Sequence, residues 1–496
     1  MSDVNKLSAA EKATELGLQS NPSSSTLTPT IDEKLQKKLL RKIDLLVLPA
    51  LACGLLTHAI DRSNIGNAKS DTLERDLHLV GNQFQLLLVL FYIPLTLSSV
   101  PFSLLAKTFS PSRVLPLAMF GFGTVAMACA AATSFGGLLA CRMVLGVLEA
   151  AFLPLPSYYG SLFYTRRELS FRIACFFSAV NVAGAVSGTI SFAVFQWRGR
   201  ALSGWQYLFL IEGAITVAMS AVLFLVLPRS VEASRFFTPE EKRLARARLD
   251  EGTLDAGEGL ERFRWADARA TLLQWESWAF MLMALSFGVA LTGAANFLPS
   301  MIRRLTKDSV RANLYTIGPH LTAMVCQLGA TFLNNRIQQR ALLISSFAAV
   351  ACLAWVLLAT LDLSGGRVRA GYFLTYVLMA GTFTPPPLVA EWIASNSPTS
   401  TGRALRLGLF ATAIPMGGIV SSVAFRAQDA PLYQRGLLTC ASFIALLALL
   451  AAGMRLHFAR LNGRMDRGEV VGTGPERQRP DWRHALQILL EQKIKS

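Results

Sequence analysis

The sequence predicts an all-α integral membrane protein with twelve transmembrane helices in two six-helix bundles. Hydrophobic residues make up 52% of the 496 residues and charged residues only 16%, whereas soluble domains carry about 25% charged residues. The apolar residues fall into twelve blocks, most of them near the roughly 20 residues that a membrane-spanning helix needs. A long polar stretch divides the blocks into two groups of six.

The blocks give the domain organisation directly. Because backbone polar groups cannot stay unpaired in lipid, each block is expected to form a helix. We place the blocks at about 43–68, 85–106, 114–134, 136–160, 172–195, 205–228, 277–301, 314–333, 341–361, 370–391, 404–425 and 436–458. The predicted domains are an N-terminal tail (1–42), a first bundle (43–228), a central loop (229–276), a second bundle (277–460) and a C-terminal tail (461–496).

The segments outside the blocks also carry signals. Residues 1–30 are polar and rich in Ser, Thr and Pro, so we expect them to be largely disordered. The N-terminus has no signal peptide, which makes the first span an uncleaved insertion signal. In the central loop, Thr238-Pro239-Glu240-Glu241 is typical of a helix start with a capping box. The basic helix that follows is either a surface helix near anionic lipid or a solvated linker.

Consecutive prolines interrupt the tenth block. Pro385, Pro386 and Pro387 remove three amide donors, so the helix must bend or break there. The break is either a gate that lines a cavity or a tolerated kink, since membrane helices carry more proline than soluble ones.

The distribution of charge indicates orientation. The net charge is +16, and with a cytoplasmic N-terminus most of the 48 Lys and Arg residues fall on the inner side. This asymmetry follows the positive-inside rule, predicts that both termini are cytoplasmic and argues against a nucleic-acid partner. The seven cysteines lie in apolar blocks without metal-ligand spacing, and no Gly-Lys-Ser/Thr phosphate loop is present. We therefore expect no cofactor, no metal and no enzymatic activity.

Four ionised residues lie inside apolar blocks. Asp61 and Arg62 belong to the first block, and Arg142 and Glu149, seven residues apart on one helix face, belong to the fourth. Each costs at least ~2.5 kcal/mol in hydrocarbon, so such residues usually mark a transport route. Asp61 and Arg142 are expected at similar depth and could pair. A buried carboxylate can exchange a proton, and a guanidinium suits an anion. The alternative is static ion pairing between helices.

Other polar residues in the blocks give weaker signals. Asn181, Asn296, His58, His320 and Gln327 either contact a substrate or hydrogen-bond between helices. Glu212 in the sixth block is expected to be structural.

Several motifs resemble one known family. The most specific is Asp61-Arg62-Ser63-Asn64-Ile65-Gly66-Asn67-Ala68 at the end of the first block. Further motifs follow in chain order: Pro111-Ser112-Arg113 with Leu115-Pro116; Arg142, Gly146, Glu149-Ala150 and Pro154; Arg166-Arg167-Glu168-Leu169 with Arg172-Ile173-Ala174; Phe209 with Ile211-Glu212-Gly213; Phe297-Leu298-Pro299; and Arg426-Ala427-Gln428-Asp429-Ala430-Pro431 with Tyr433 and Gly436. Over residues 38–465 the chain resembles the allantoate permease family, the fungal anion:cation symporter branch of the major facilitator superfamily.

The resemblance implies proton-driven symport of a small organic anion, such as a carboxylate, a vitamin or a ureide, by alternating access. The predicted substrate-binding residues are Arg62, Asn64, Arg142, Asn296 and His320. The predicted proton-coupling residues are Asp61 and Glu149, and the predicted gating or loop residues are Arg113, Arg403 and Pro386. We expect a monomer in the lipid bilayer of the plasma membrane.

The second half departs from the family pattern. Gly402-Arg403 stands where the family usually has Lys-Arg, so substrate identity is the inference most affected. An exporter of a secondary metabolite on the same fold is the main alternative. A transport-inactive sensor and a membrane enzyme are further alternatives.

Overall fold

Helices form the regular secondary structure throughout the described chain. The computed structural model describes residues 33–152, 155–164, 166–197, 201–231, 233–254, 265–303, 309–361, 367–397, 399–430 and 432–467. The predicted disorder of residues 1–30 and most of the C-terminal tail lie outside these ranges. The chain divides into two units, residues 1–42 and 43–496. The described part of the first unit, residues 33–42, is helical, and the packing and the site described below belong to the second.

A helix occupies every predicted block. The first six span helices are Glu33–Ser70, Gln83–Phe109, Pro111–Cys129, Phe135–Glu149, Arg166–Phe195 and Gly204–Val226. The last six are Trp275–Arg303, Ile317–Ile337, Arg340–Thr360, Val368–Phe383 with Pro385–Ser395, Ser400–Ala424 and Gln434–Asp466. Among the described residues, ten of the twelve are long and apolar enough to cross a membrane; the second has a shorter apolar run, and the polar eighth does not qualify. The all-α membrane fold is confirmed.

Two helix boundaries differ from the prediction. The first helix begins at Glu33, ten residues before the predicted block, because the polar residues there still favour helix. The predicted single helix at 136–160 is wrong. The α-helix ends at Glu149, a 3-10 turn covers Ala150–Phe152, and a separate short helix covers Leu155–Ser161. The sequence has prolines at 154 and 156, and proline removes the amide that a continuous helix requires.

The predicted break in the tenth span is confirmed. One helix ends at Phe383 and the next begins at Pro385. The three prolines occupy the first turn of the second helix, where amides have no intrahelical partner. Because proline has no amide hydrogen to donate to the carbonyls one turn earlier, the helical hydrogen bonding is interrupted at this point.

Packing groups the spans into two bundles. In the first bundle the second span packs on the fourth, and the third packs on the fourth and sixth. In the second bundle the seventh packs on the eleventh and twelfth, and the ninth packs on the tenth and twelfth. The bundles meet where the fifth span contacts the eighth and the second contacts the eleventh. At the first of these seams a Cβ added to Gly184 would overlap the ring of His320, so the helices require glycine there.

The central loop contains two helices, Pro239–Leu254 and Trp265–Leu273. The amide of Thr238 donates to Glu241 Oε2 at 2.9 Å, and the amide of Glu241 donates to Thr238 Oγ1 at 3.3 Å. These reciprocal bonds confirm the predicted capping box.

Candidate functional site

An asparagine connects the charges of the first and fourth spans. Asn64 Nδ2 donates to Asp61 Oδ1 at 2.8 Å, and a terminal nitrogen of Arg142 donates to Asn64 Oδ1 at 3.0 Å. All three side chains are buried. Asp61 and Asn64 are three residues apart, so they share one helix face. The predicted direct pair of Asp61 and Arg142 is thus replaced by a bridge through Asn64.

A histidine faces the second carboxylate of the cluster. His58 Nε2 lies 3.3 Å from Glu149 Oε2, and both side chains are buried. The His58 ring stacks on Phe152 with centroids 5.2 Å apart and meets the edge of Phe122 at 6.0 Å. These aromatic contacts fix the ring toward Glu149. Sequence reasoning gave His58 little weight, although its position three residues before Asp61 places both on one face.

Several polar atoms of this cluster lack a hydrogen-bond partner among the described residues. They are His58 Nε2, Asp61 Oδ2, Arg142 Nε and both carboxylate oxygens of Glu149. Buried polar groups are almost always paired in folded proteins. Their occurrence together in one place indicates a site for a proton, water or ligand.

A hydrogen-bond chain links the fifth and sixth spans to the first. Asn67 Nδ2 donates to Ser187 Oγ at 2.8 Å, and Ser187 Oγ donates to Glu212 Oε1 at 2.9 Å. Glu212 Oε2 has no hydrogen-bond partner in the described chain. The bond to Oε1 agrees with the structural role expected for Glu212, whereas that role does not account for the unpaired Oε2.

Arg62 points to a different partner than Asp61. Its terminal nitrogen donates to Tyr92 Oη at 3.4 Å, and Asn296 Nδ2 donates to the same hydroxyl at 3.3 Å. Tyr92 of the second span therefore joins predicted substrate residues from both bundles. Its sequence context, an aromatic residue within an apolar span, gave no signal of this role.

The other predicted residues lie at separate contacts. His320 packs against Gly184 and the edge of Phe383, at the junction of the fifth, eighth and tenth spans. Close by in sequence, Asn181 Nδ2 donates to Gln327 Oε1 at 3.0 Å, which is the interhelical bond expected for such residues.

The predicted gating residues occupy helix ends and a break. Arg113 is exposed in the first turn of the third span, and Pro386 is buried at the tenth-span break. Arg403 donates to the carbonyls of Ala394 and Ser397 at 3.1 and 3.3 Å. The structure thus places Arg113 and Arg403 near loops and Pro386 inside a span, and their gating role remains a prediction.

The site combines a buried guanidinium with unpaired carboxylate oxygens inside apolar helices. Within the described residues, no group of His, Cys, Asp and Glu has the arrangement of a metal site. A buried guanidinium suits an anion and a buried carboxylate can exchange a proton, and the apolar helices define a multi-pass membrane protein.

Comparison with known proteins gives the family. The Major Facilitator Superfamily profile matches residues 51–422, so the chain belongs to the major facilitator superfamily. It is 37% identical over 446 residues to the MFS-type transporter efuF of Hormonema carpetanum, covering 89% of this chain and 90% of the relative. It is 28% identical over 431 residues to the high-affinity nicotinic acid transporter of Saccharomyces cerevisiae, covering 86% and 79%. The proton:xylose symporter XylE superposes with a TM-score of 0.64 at 14% identity, covering 84% of this chain and 95% of XylE. As a member of this superfamily the chain is an integral multi-pass transporter of small molecules.

Proposed function

We propose that this transporter carries a small organic anion together with protons, by alternating access between the two bundles. The single observation that carries the proposal is the buried cluster of Arg142, Asn64, Asp61, Glu149 and His58 with its unpaired polar atoms. A charge inside a membrane helix is costly and usually functional.

The anion-binding half of the proposal rests on Arg142. One terminal nitrogen binds Asn64, Nε is without a partner among the described residues, and the rings of Phe91 and Phe209 lie within 6 Å of the guanidinium. A planar fork of donors in a low-dielectric setting suits a carboxylate. Arg62, held by Tyr92, is the second candidate cation.

The proton-binding half rests on Glu149. With His58 Nε2 at 3.3 Å, its carboxylate faces a group that can share a proton. Asp61 is the second carboxylate of the cluster and has one oxygen without a partner in the described chain. An anion bound at Arg142 would weaken the attraction between that guanidinium and the carboxylates, and so favour protonation. Protonation and anion binding would then support one another.

The substrate class is proposed from chemistry and from relatives. The motifs that resemble the allantoate permease family include Asp61 and Arg62, and nicotinic acid, named for the yeast relative, is a carboxylic acid. We propose a carboxylate, vitamin or ureide as substrate. We further propose a monomer in the plasma membrane with both termini in the cytoplasm.

The test is uptake into proteoliposomes with a panel of labelled carboxylates and ureides, with and without an inward proton gradient. We expect one compound to accumulate only with the gradient. Arg142→Gln should abolish its binding, and Glu149→Gln should uncouple accumulation from pH while exchange persists. Arg243→Gln, an exposed arginine of the central loop, is the matched control.

Two results would contradict the proposal. Unchanged pH dependence in Glu149→Gln would remove the proton role of that residue. Failure of every panel compound to accumulate in correctly folded protein would favour an exporter of a larger metabolite.

A further inference from the structure

The helix Trp265–Leu273 in the central loop presents large apolar side chains on one face. Trp265 is 81% exposed and Leu273 77%, and Leu272 and Arg269 are exposed beside them. At about 100° per residue these positions lie within an arc of about 120°. The opposite face is buried through Asp267, Ala268 and Thr271. The exposed face therefore consists mainly of large apolar side chains, with Arg269 among them.

This face continues into an exposed surface of the seventh span. Only Gln274 separates Leu273 from Trp275, where the span helix begins. Trp275 and Trp278 are also exposed, and Trp278 Nε1 donates to the carbonyl of Leu272 at 2.8 Å. Tryptophan is enriched where a membrane helix meets the headgroups. The helix thus ends beside two exposed tryptophans of the kind that mark a membrane interface.

We propose that Trp265–Leu273 lies in the plane of the membrane and binds phospholipid. Trp265, Leu272 and Leu273 occupy the boundary of headgroups and acyl chains, and Arg269, which lies among them, extends its guanidinium to the phosphates. The other loop helix, Pro239–Leu254, lacks this pattern because its exposed positions include Glu240, Arg243 and Arg246.

The buried face fixes the helix to the start of the eleventh span. A Cβ added to Gly402 would lie 2.7 Å from Thr271 Oγ1 and 2.9 Å from Thr399 Oγ1, so glycine allows the helix and the span to approach closely. Arg406, one turn further along the span, donates to Gln274 Oε1 at 2.6 Å and to Ser277 Oγ at 3.0 Å. Gly402, which stands where the resembled family usually has lysine, therefore forms the packing site of the interfacial helix on the eleventh span.

The contact between the interfacial helix and the eleventh span connects the proposed lipid contact to the candidate site. The eleventh span also touches the candidate site, because Gly418 packs directly on the ring of Tyr92. The interfacial helix therefore anchors one end of the eleventh span to the membrane. The same span borders Tyr92, the hydrogen-bond partner of Arg62.

Photo-crosslinking of the full-length protein tests the lipid contact. The protein is reconstituted in phosphatidylcholine and phosphatidylserine vesicles with a trace of phosphatidylcholine bearing a diazirine near the glycerol end of one acyl chain. We expect label on Trp265, Leu272 or Leu273, as on Trp278, which reports lipid access in the same sample. Arg243 and Arg246 on the other loop helix should stay unlabelled. Label on Trp278 without label on the Trp265–Leu273 face would overturn the proposal.

Two variants test the exposed face of the helix and its contact with Gly402 separately. Leu273→Glu should lower label on this helix about tenfold, since a leucine inserted into the lipid contributes about 1.5 kcal/mol or more to membrane binding. Arg243→Glu on the other loop helix should leave the label unchanged. Gly402→Leu, whose side chain would enter the space of Thr271, should displace the helix and lower its label, whereas Gly408→Leu, at a glycine of the same span whose Cβ position is open, should not. Equal labelling in Leu273→Glu and the parent, or no loss in Gly402→Leu, would contradict the assignment.

Discussion

A buried lysine closes the seam between the bundles at the end where the first span finishes. Lys69 is 9% exposed and its Nζ lies 4.2 Å from the ring centroid of Phe84, 5.4 Å from that of Phe297 and 5.6 Å from that of Tyr433. Phe84 belongs to the first bundle, whereas Phe297 and Tyr433 belong to the second. Opening of the protein at this end must therefore separate Lys69 from two rings and leave the third.

The energy of that separation can be worked from these contacts. A cation–π contact contributes about 0.5–1 kcal/mol when exposed and about 2 when desolvated. The two contacts between bundles are near the 6 Å limit but buried, so we take about 1 kcal/mol for each and about 2 kcal/mol together. Lys69→Met keeps the apolar stem and removes the charge. It should shift the equilibrium toward the state open at this end by roughly 30-fold.

The assay is the distance distribution between spin labels at Val80 and Gln434, two exposed positions on opposite bundles at this end, in a background without native cysteines. Lys69→Met should populate a longer distance that the parent lacks. Lys69→Arg, which retains a cation, should resemble the parent. Identical distributions in the Met variant and the parent would refute the reasoning, and a shift of the same size in Lys69→Arg would show that shape, not charge, matters.

Three further predictions concern stability, measured as the apparent melting temperature in detergent. Burial raises the pKa of Asp76 in the loop after the first span, but hydrogen bonds led by the Ser203 hydroxyl at 2.7 Å outweigh it and leave the pKa below its usual value. Asp76→Asn should therefore lower stability above about pH 4. The difference in stability from the parent should vanish as the pH falls through the folded pKa of Asp76. A pH-independent difference would contradict this reasoning. Glu391→Gln should lower the free energy of unfolding by about 3 kcal/mol, because Arg340, which lies 3.0 Å from Glu391 Oε1, would stay largely buried without its counter-charge. Unchanged stability would mean that the pair is solvated. Gly146→Val should prevent folding or lower the melting temperature strongly, since a Cβ there overlaps a backbone carbonyl of the second span, and normal stability would show that the helices can separate.

The sequence predicted the features that depend on local chemistry. The apolar blocks became helices because lipid enforces internal hydrogen bonding. The tenth span broke at Pro385, and Thr238 formed its capping box, because proline and threonine act on their own turn of helix. Where two prolines followed Glu149 the same rule applied, and the predicted continuous helix failed because their effect was not counted.

The contacts between spans depended on information that one sequence does not contain. Charge and depth placed Asp61 near Arg142, but the rotation of each helix about its axis decided that Asn64 would lie between them. The same rotation brought His58 to Glu149. Tyr92 gave no signal at all, because a tyrosine in an apolar block has the same pattern whether it packs or donates a hydrogen bond.

The position of Tyr92 connects the proposed anion site to the motion of the bundles. Its hydroxyl accepts from Arg62 of the first bundle and from Asn296 of the second, and its ring packs on Gly418 of the eleventh span. An anion that bound Arg62 would compete with this hydroxyl, because the guanidinium favours a charged acceptor. Loss of the Arg62 bond, which lies within the first bundle, would leave the Tyr92 hydroxyl bonded to Asn296 of the second bundle and so favour the state that keeps this contact. A substrate that binds the two states differently in this way shifts their equilibrium, which is the physical requirement for alternating access.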